Sequence, residues 1–380
     1  MRTEIIVIGG GIIGCAAAAV LADRGARVTL VERTAIGAGA SGRNLGVIQH
    51  PFDAVLAPLY EESVTRYRAL AGLDAGFAMA DAPAGLLLLN PNVDAAALQV
   101  LRQREAHPEL APRLLSPDEV ILAEPTLRHG PAAVRLATGY PIPPASATAA
   151  WCRLAEERGV RLVIGSAARP ALEDGRAVGV VMVDGSRMAA DMVLVAAGPA
   201  TPALVDPSGG WIPIRPTWGV TVQLRLEGPA PHHIVEEDEV DAINRAAAAT
   251  ARAALEPDDG SDPPSLFTLA SAAGVSTLGS TFLTAEPDPG PIAPLLLARA
   301  VAFLPAIERA EVIERRVCAR PQSADGRPFI GPMHGVDGLY VCAGHGPWGI
   351  STGPASAAMV ARAMLDATPT PPELAANRPI

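Results

Sequence analysis

The sequence predicts an α/β protein in which a parallel, doubly wound domain is interleaved with a smaller α+β domain. Three observations predict this arrangement. A strand, a glycine-rich turn, a helix and a second strand fill the first 32 residues; an apolar strand at 192–196 closes on a glycine; and longer strand-like segments cover 211–226 and 266–283. Strands that alternate with helices favour a parallel sheet, whereas consecutive strands favour a separate antiparallel or mixed sheet.

The first strand leads into a dinucleotide-binding pattern. A G-x-G-x-x-G motif occupies Gly9, Gly11 and Gly14, and an alanine-rich helix follows it. These glycines allow a tight turn, the approach of a pyrophosphate and close packing of helix on strand. The N–H groups and the dipole at the start of the helix attract the anion. Glu32 ends the second strand, eighteen positions after Gly14, where a ribose contact is expected.

A second glycine-rich segment, 37–44, follows the second strand. Its small residues would let the backbone press against a planar ligand or its phosphates. Arg43 and Asn44 supply hydrogen-bond donors at its end. The segment therefore extends the predicted nucleotide site.

Composition narrows the functional classes. The chain has 380 residues, 49% of them hydrophobic, and a net charge of −10, so nothing favours binding to nucleic acid or to an anionic membrane. The uncharged run 5–22 approaches the length of a membrane span, but its four glycines and its change from strand to helix argue against one. We therefore expect a cytoplasmic protein. All thirty residues of the lysine and arginine class are arginine. A Schiff base formed by lysine and a lysine general base are therefore excluded.

Cysteine and histidine spacing predicts neither a disulfide framework nor a metal site. The four cysteines are scattered, without a C-x-x-C pair. His232 and His233 lie near Glu236 and Glu237 and could ligate a metal, but a solvated polar loop is the favoured interpretation. The cysteines are Cys15, Cys152, Cys318 and Cys342.

Periodicity and turn signals predict the remaining elements. Ser116 and Glu119 have capping-box spacing at the start of one helix. Asp184 and Gly185 predict a hairpin turn between the strands at 177–183 and 192–196. Helices are predicted at 53–72, 94–106, 117–123, 146–158, 241–255, 291–304 and 352–366, and further strands at 86–89 and 160–164.

The chain is predicted to leave the nucleotide domain and return to it twice. The nucleotide domain takes 1–80, 146–205 and 320–380, and the second domain takes 81–145 and 206–319. Residues 256–264 are predicted to form a mobile loop, and 241–264 could act as a lid. The proline-rich tail from Thr368 is predicted to fray.

Three segments carry a more specific pattern. They are the N-terminal unit with its Gly-Ala-Ser-Gly-Arg-Asn extension to Asn44, the stretch 159–198, and the stretch 320–350, in which Arg-Pro, Asp-Gly-Arg-Pro-Phe-Ile-Gly and Gly-Leu-Tyr-Val-Cys-Ala-Gly-His-Gly succeed one another. Together they resemble the glycine/D-amino-acid oxidase (DAO) family of flavoproteins. The resemblance implies a Rossmann-like, glutathione-reductase-like FAD-binding domain beside a substrate domain that holds a mixed or antiparallel sheet.

The resemblance also implies where FAD would bind. The glycine-rich loop 344–350 enters a helix, and its N–H groups would face the flavin N1/O2 edge, where negative charge grows on reduction. The implied cofactor-binding residues are Gly9, Gly11, Ile12, Ile13, Gly14, Glu32, Arg33, Ala40, Ser41, Arg43, Asn44, Leu45, Gly46, Ala168, Ala197, Gly198, Arg320, Gly344, His345, Gly346, Pro347, Trp348, Gly349 and Ile350.

Catalytic residues are implied at Arg320, His345 and Trp348. Arg320 matches the family arginine that pairs with a substrate carboxylate, a role suited to a bidentate guanidinium. Pro347 and Trp348 depart from glycine oxidase and argue against glycine as the substrate. With His345, Trp218 and His50, Trp348 could line a pocket for a larger amine. Cys318 lies near the position of a flavin-linked cysteine in sarcosine oxidase. Two interpretations of Cys318 stay open: a covalent bond to the flavin, or a small buried residue at the end of a strand.

The sequence therefore predicts an FAD-dependent oxidoreductase that oxidises the C–N bond of an amino acid or secondary amine. Hydride would pass to flavin N5, and the resulting imine would hydrolyse. One alternative is the FAD subunit of a heteromeric dehydrogenase with an electron-accepting partner. A non-catalytic flavin-binding protein and a nicotinamide dehydrogenase are further alternatives. A homo-oligomer is also compatible with the sequence.

Overall fold

The computed structural model describes residues 2–73, 76–238 and 265–379. The predicted helix at 241–255, the loop at 256–264 and the lid lie outside these residues. The helices are α1 Ile12–Asp23, α2 Ala40–Arg43, α3 Ala57–Gly72, α4 Val93–Ala106, α5 Pro117–Ala123, α6 Ser146–Glu157, α7 Thr201–Val205, α8 Pro289–Val301 and α9 Gly349–Asp366.

The strands follow the same chain order. They are β1 Glu4–Ile8, β2 Arg27–Glu32, β3 Val47–Ile48, β4 Leu86–Asn90, β5 Arg113–Leu115, β6 Ala132–Leu136, β7 Tyr140–Pro141, β8 Arg161–Ile164, β9 Ala168–Glu173, β10 Arg176–Met182, β11 Arg187–Ala189, β12 Met192–Val195, β13 Ile214–Arg225, β14 Ile234–Glu237, β15 Ser265–Ala272, β16 Val275–Thr281, β17 Glu311–Ser323, β18 Phe329–Pro332 and β19 Leu339–Ala343.

The first sheet has six strands in the order β18-β19-β12-β1-β2-β8. All neighbours are parallel except β18 and β19. Apolar residues of β1 are buried on both faces, as the middle of a parallel sheet requires. Helix α1 packs on one face with α6 and α9, and its run of small alanines permits the close approach of these helices. The carboxyl end of β1 therefore opens directly onto the glycine turn.

The second sheet has eight strands in the order β17-β13-β16-β15-β14-β4-β6-β5. It is antiparallel except for the parallel pair β4 and β14. Helix α8 covers one face through Leu296 and Ala300, which pack with Phe267, Leu269 and Leu278 of the sheet. Residues on the opposite face line a pocket.

The hairpin prediction was wrong in one strand. Asp184 and Gly185 do form a turn, but its second strand is β11, which pairs with β10 in a three-stranded sheet with β9. Strand β12, the predicted partner, joins the first sheet instead. Local turn signals identified the bend, while the short strands β9 and β11 were too polar to recognise.

The C-terminal tail is docked rather than frayed. Ile330 donates its N–H to Leu374 and accepts one from Ala376, and Leu374 is buried. The guanidinium of Arg378 lies 3.6 Å from the centre of the Phe329 ring and also pairs with Asp325. These contacts hold the segment against β18. They could not be predicted from the composition of the tail, because they involve residues that are distant in the chain.

Strand β17 belongs to the second sheet along its whole length, because it pairs with β13 from Glu311 to Ser323. It thus crosses the predicted domain boundary at residue 320, and the division into two domains stays a prediction. The capping box of Ser116 and Glu119 at α5 is confirmed. Across the described ranges, no helix combines the length and the apolar character needed to span a membrane.

Candidate active site

The glycine turn after β1 packs backbone against backbone. Gly9 has φ +116°, and a side chain there would overlap the carbonyl of Ala196 at the end of β12. A side chain on Gly14 would overlap the carbonyl of Gly9. The turn therefore requires glycine at both positions, and it packs Gly9 against Ala196 and Ala197.

The N-terminus of α1 is open to an anion. Gly11 is the N-cap residue and has no side chain to accept an N–H group of the helix, and the first turn of α1 carries no acidic residue. The N–H of Ile12 donates to Oγ of Ser41 at 3.0 Å, which places this hydroxyl at the helix end. Gly198 has φ +58°, and no atom lies within 4 Å of the place its side chain would take. This geometry suits a phosphate group between the two segments.

Glu32 lies at the carboxyl end of β2 and is tied to the turn. One of its oxygens accepts the N–H of Gly10 at 2.7 Å, and the other accepts the N–H and hydroxyl of Thr34 at 2.8 and 3.0 Å. An ionised carboxylate has about four acceptor positions, so one remains for a ribose hydroxyl. Arg33 is exposed at the neighbouring position.

Asn44 shapes the loop after α2. Its side-chain amide donates to the carbonyls of Ala40 and Ser41, and its oxygen accepts the N–H of Gly46 at 2.7 Å. The sequence predicted that the side-chain amide of Asn44 would contact a ligand, but in the structure its nitrogen and oxygen both bind backbone groups of the same loop. The side chain of Asn44 therefore stabilises the conformation of residues 40–46.

Two arginines tie the same loop to the second sheet. Buried Arg316 on β17 donates to the carbonyls of Gly42 at 3.4 Å and Asn44 at 3.2 Å. Arg43 donates to the carbonyl of Val317 at 3.4 Å. The loop that leaves the nucleotide cradle is thus held over one end of β17.

A pocket opens where this loop, the second sheet and the entrance to α9 meet. It encloses about 790 Å³ of space, part of it continuous with solvent. Its wall combines polar groups with two aromatic rings, which is typical of a small-molecule site. The lining residues are Asn44, Leu45, Gly46, Val47, Gln49, Thr221, Glu236, Thr268, Ser280, Phe282, Arg320, Pro347, Trp348, Ile350 and Ser351.

Arg320 places a cation in this pocket. It lies on β17 opposite Thr217, and its guanidinium donates to the carbonyl of Thr281 at 2.9 Å and to the hydroxyl of Ser280. Its Cζ lies 4.6 Å from the centre of the Phe282 ring. Gly219 makes room for it, since a side chain there would reach within 2.5 Å of the guanidinium. Burial lowers the pKa of Arg320 from its usual value.

The described residues include no carboxylate that pairs with Arg320, although they hold ion pairs for many other arginines. A buried cation is costly unless an anion or several hydrogen bonds compensate it. Its two neutral acceptors leave donor positions unused, because a guanidinium has five N–H groups. The pocket is therefore electrostatically prepared for an anionic ligand group.

The glycine loop before α9 forms the other side of the pocket. Gly344 and Gly346 have φ +91° and +53°, and a short 3₁₀ turn, Gly346–Trp348, leads into α9. No side chain caps α9, and its first turn carries no acid. Trp348 lines the pocket and meets Phe52 edge to face at 6.5 Å between ring centres.

His345 is buried within the same loop, and neither of its ring nitrogens has a partner among the described residues. Burial lowers its pKa to about 3, so the ring is neutral at ordinary pH. It does not line the pocket, unlike Arg320 and Trp348. Its catalytic and cofactor roles stay predictions.

The two other proposed pocket residues, Trp218 and His50, lie outside the pocket wall. His50 is buried behind Phe52, near His107 and Glu109, whose nearest polar atoms lie 3.3 Å apart. Such a group resembles a metal site, but Nδ1 of His50 accepts the N–H of Phe52 at 3.1 Å. The proton of the neutral ring then sits on Nε2, which has no lone pair for a metal.

Cys318 is buried on β17, and its Sγ lies 3.9 Å from the carbonyl of Arg43. Burial raises the pKa of this thiol, while Arg320, Arg316 and Arg43 oppose the rise. The protonated thiol is thus favoured in the chain by itself. A bond from Cys318 to flavin stays a prediction.

Most of the pocket wall on the second sheet was not predicted from the sequence. Thr221, Thr268 and Ser280 come from three different strands, and no local pattern connects them. The polar-loop interpretation of the His-Glu segment was wrong: Glu236 and Glu237 are buried on β14, and His233 contacts buried Glu124. The apolar pair Ile-Val before the glutamates was the available strand signal.

Comparisons with known proteins identify the family of this chain. The model of the family "DAO: FAD dependent oxidoreductase" matches residues 4–363. The chain belongs to this family. A glycine oxidase of Pseudomonas aeruginosa is 28% identical over 377 residues, which cover 96% of this chain and 95% of that one.

Solved structures show the same fold. Glycine oxidase from Bacillus cereus superposes with a TM-score of 0.81 at 21% identity, covering 97% of this chain and 96% of that chain. L-proline dehydrogenase from P. horikoshii also gives 0.81 at 21% identity, covering 99% and 96%. The family resemblance and the α/β fold predicted from the sequence are confirmed. This family member is an FAD-dependent oxidoreductase of the amine and amino-acid class.

Proposed function

We propose that this enzyme oxidises the C–N bond of an amino acid or of a secondary amine that carries a carboxylate. The observation that carries the proposal is the half-buried guanidinium of Arg320, which faces the pocket and has no carboxylate partner among the described residues. A substrate carboxylate would accept the unused N–H groups in bidentate geometry. The glycine oxidase relative supports the same substrate class.

The residues at the other end of the site fit FAD. The N-terminus of α1, where the hydroxyl of Ser41 accepts the N–H of Ile12, and the open space at Gly198 suit the diphosphate, and Glu32 keeps an acceptor for the ribose. The uncapped N-terminus of α9 would face the flavin edge. When bound, FAD supplies the two-electron acceptor for the hydride that leaves the substrate α-carbon.

The chain itself binds, orients and shields the substrate. Arg320 would fix the carboxylate, and the rings of Phe282 and Trp348 give the pocket apolar walls that exclude water. Excluding water strengthens the charge interaction at Arg320. Only the neutral amine reacts. If the amine already binds in its unprotonated form, the site needs no strong base to remove a proton. The imine product hydrolyses after release.

Anaerobic titration of the purified holoenzyme tests the proposal. Glycine, sarcosine, proline and D- and L-amino acids would each be added while the flavin absorbance is followed. We expect at least one carboxylate-bearing amine to bleach the flavin. Readmission of oxygen would then distinguish an oxidase from a dehydrogenase. A flavin that no amino acid or secondary amine bleaches would contradict the proposal, and a tightly co-purifying electron acceptor would favour the heteromeric alternative.

A further inference from the structure

A second, apolar chamber adjoins the pocket of Arg320. It encloses about 370 Å³ between the loop 142–144 and the second sheet, and Leu45 and Gly46 line both chambers. Among the described residues, its lining contains no charged group, and its polar side chains are those of Gln223 and Thr277. The chamber is therefore suited to a hydrocarbon group. Its apolar lining includes Ile142, Pro143, Pro144, Ala270, Ala272 and Val275.

The two chambers share one floor on the second sheet. Because side chains of a strand alternate between its faces, residues two positions apart point to the same face. The floor is therefore continuous from one chamber to the next, over a step of about 7 Å. It consists of two rows of paired residues from β13, β16 and β15, the first being Thr221, Gly279 and Thr268 and the second Gln223, Thr277 and Ala270. The threonines of the first row line the pocket of Arg320, and the second row lines the apolar chamber.

The side chain of Leu45 separates the two chambers. Its Cδ1 lies 3.3 Å from the position that a side chain on Gly279 would take, so it rests on the first row at the place where a side chain is missing. Leu45 is half-buried and packs against an apolar cluster that includes Ala270 of the second row. This one side chain therefore forms a partition across a continuous floor.

The backbone beneath the partition is held firmly. The N–H of Gly46 donates to the side-chain oxygen of Asn44 at 2.7 Å, and the carbonyl of Gly46 accepts the N–H of Ile142 at 2.8 Å. Arg316 donates to the carbonyl of Asn44 at 3.2 Å. Gly46 has φ +83°, and a side chain there would overlap the carbonyl of Ile142. Because the loop is fixed, the size of the Leu45 side chain determines how far the first chamber extends.

The distance between Arg320 and the partition sets a length for the substrate. The guanidinium donates to the carbonyl of Thr281, and Gly279, beneath Leu45, lies two positions away on the same strand. Two residues of a strand cover at most about 7 Å. This distance corresponds to about five C–C bonds of about 1.5 Å each. A longer substituent on a carboxylate held at Arg320 would meet Leu45.

We propose that Leu45 limits the enzyme to short carboxylate-bearing amines, and that the apolar chamber behind it accepts a longer hydrocarbon group once this side chain is shortened. This inference rests on the proposed function and names the residue that sets its substrate range. Amines with short substituents stay on the Arg320 side of Leu45. Longer substituents collide with the partition and are therefore used less efficiently.

A homologous series of substrates tests the limit in the holoenzyme. Anaerobic flavin reduction would be measured with N-alkylglycines from methyl to octyl, and with straight-chain 2-amino acids of increasing length in both enantiomers. We expect kcat/KM to fall about tenfold or more once the substituent passes the predicted length, because extra methylene groups are forced into filled space. A kcat/KM that continues to rise with length would overturn the inference.

Leu45→Ala should open the partition. The ratio of kcat/KM for N-octylglycine to that for sarcosine should rise about tenfold or more, since each methylene group that enters an apolar chamber contributes about a fourfold gain. Leu45→Val removes one carbon and should raise the ratio about fourfold, which keeps the limit testable if Leu45→Ala loses its flavin. The exposed Leu98→Ala on α4 is the matched control and should not change the ratio. An unchanged ratio in the Leu45 variants would overturn the inference.

A second substitution shows where the long group binds. Ala272 is half-buried and lines the apolar chamber, so Ala272→Phe would fill the space behind the partition. In the double variant Leu45→Ala, Ala272→Phe, the gain for N-octylglycine should disappear. A gain that survives would overturn the assignment of this chamber.

Failure of the proposed function gives a different result. If no amine reduces the flavin, the oxidation proposal fails, but the binding of butyrate and decanoate, which carry the carboxylate without the amine, still decides the inference. In calorimetry, Leu45→Ala should tighten decanoate relative to butyrate about tenfold or more, at unchanged flavin content and Tm. An equal change for both acids, or binding of neither acid to either protein, would overturn it.

Discussion

The nucleotide cradle and the substrate pocket are built in different ways. The cradle, residues 9–14 with 32–46 and 196–198, is made mainly of backbone, and glycine is needed at Gly9, Gly14 and Gly42 because neighbouring backbone fills the space beside them. The pocket is made mainly of side chains from separate strands of the second sheet. Substitutions at these tightly packed glycines should therefore affect folding and cofactor retention, whereas those in the pocket should change substrate choice.

The largest effect is expected at Gly14. In Gly14→Val the new side chain overlaps the carbonyl of Gly9, so α1 must move away from β1. Such overpacking costs about 1–3 kcal/mol or more and would open the anion site. We expect purified Gly14→Val to retain less than about a tenth of the normal flavin, measured by absorbance.

Gly39→Ala is the matched control for this substitution. No atom lies within 4 Å of the added methyl group, and Gly39 has an ordinary φ of −86°. It should keep its flavin and its Tm. Full flavin retention by Gly14→Val would show that backbone packing does not govern the cradle.

Substitution of Arg320 should leave the cradle intact and weaken the substrate. In Arg320→Met the carboxylate loses a charge-assisted partner within a partly desolvated pocket, and we expect kcat/KM to fall about 100-fold. The loss should appear chiefly in KM, measured by steady-state kinetics. The flavin content should not change.

An amine that lacks the carboxylate is the control substrate for Arg320→Met. Its turnover should be equally slow with both enzymes, because it never uses the guanidinium. An unchanged KM for the carboxylate-bearing substrate would refute the role of Arg320.

A smaller effect is expected from His50, which lies behind the pocket. Burial, assisted by His107 and opposed by Glu109, lowers its pKa from 6.5 to about 4. As the pH falls from 6.5 towards 4, the unfolded chain takes up a proton that the folded protein refuses, so stability decreases. The loss is about 1 kcal/mol between pH 6.5 and pH 5.5.

His50→Asn should remove this part of the pH dependence. Urea unfolding at pH 6.5 and 5.5 would measure it, with the exposed His129→Gln as a control that keeps the slope. Parallel slopes in His50→Asn and the unsubstituted enzyme would contradict the assignment of this titration to His50.

The smallest effect is expected far from both regions, at the start of α5. Ser116 accepts the N–H of Glu119, and Ser116→Ala removes this cap. The free energy of unfolding should fall by about 1 kcal/mol, with flavin content and kinetics unchanged. A change in KM would show that α5 communicates with the pocket.

The features that could be predicted from the sequence are those that depend on residues close together in the chain. The glycine turn, the capping box and the paired strands β1 and β2 each carry a local requirement, such as a missing side chain or a cap. Arg320 and Trp348 were found through the family resemblance, and both line the pocket. The docked tail and strands β9 and β11 were missed, because their stability comes from distant partners.

The candidate site was only half predictable for the same reason. Asn44 was expected to offer its amide to a ligand, but the folded loop uses that amide internally. Glu236 was interpreted as part of a polar loop, and only its pairing with Thr268 places it on the pocket face. A side chain's role depends on what lies across the sheet, which a single sequence does not record.

By itself, the sequence determined the nucleotide cradle, since its chemistry is encoded within continuous segments by glycines, a helix start and an acid at the end of a strand. The tertiary structure alone decided the substrate pocket. Its wall residues Arg320 and Glu236 are 84 positions apart in the chain and line one pocket only because β17 and β14 belong to the same sheet. Local physics specifies a backbone turn, whereas the arrangement of side chains around a substrate is a property of the whole sheet.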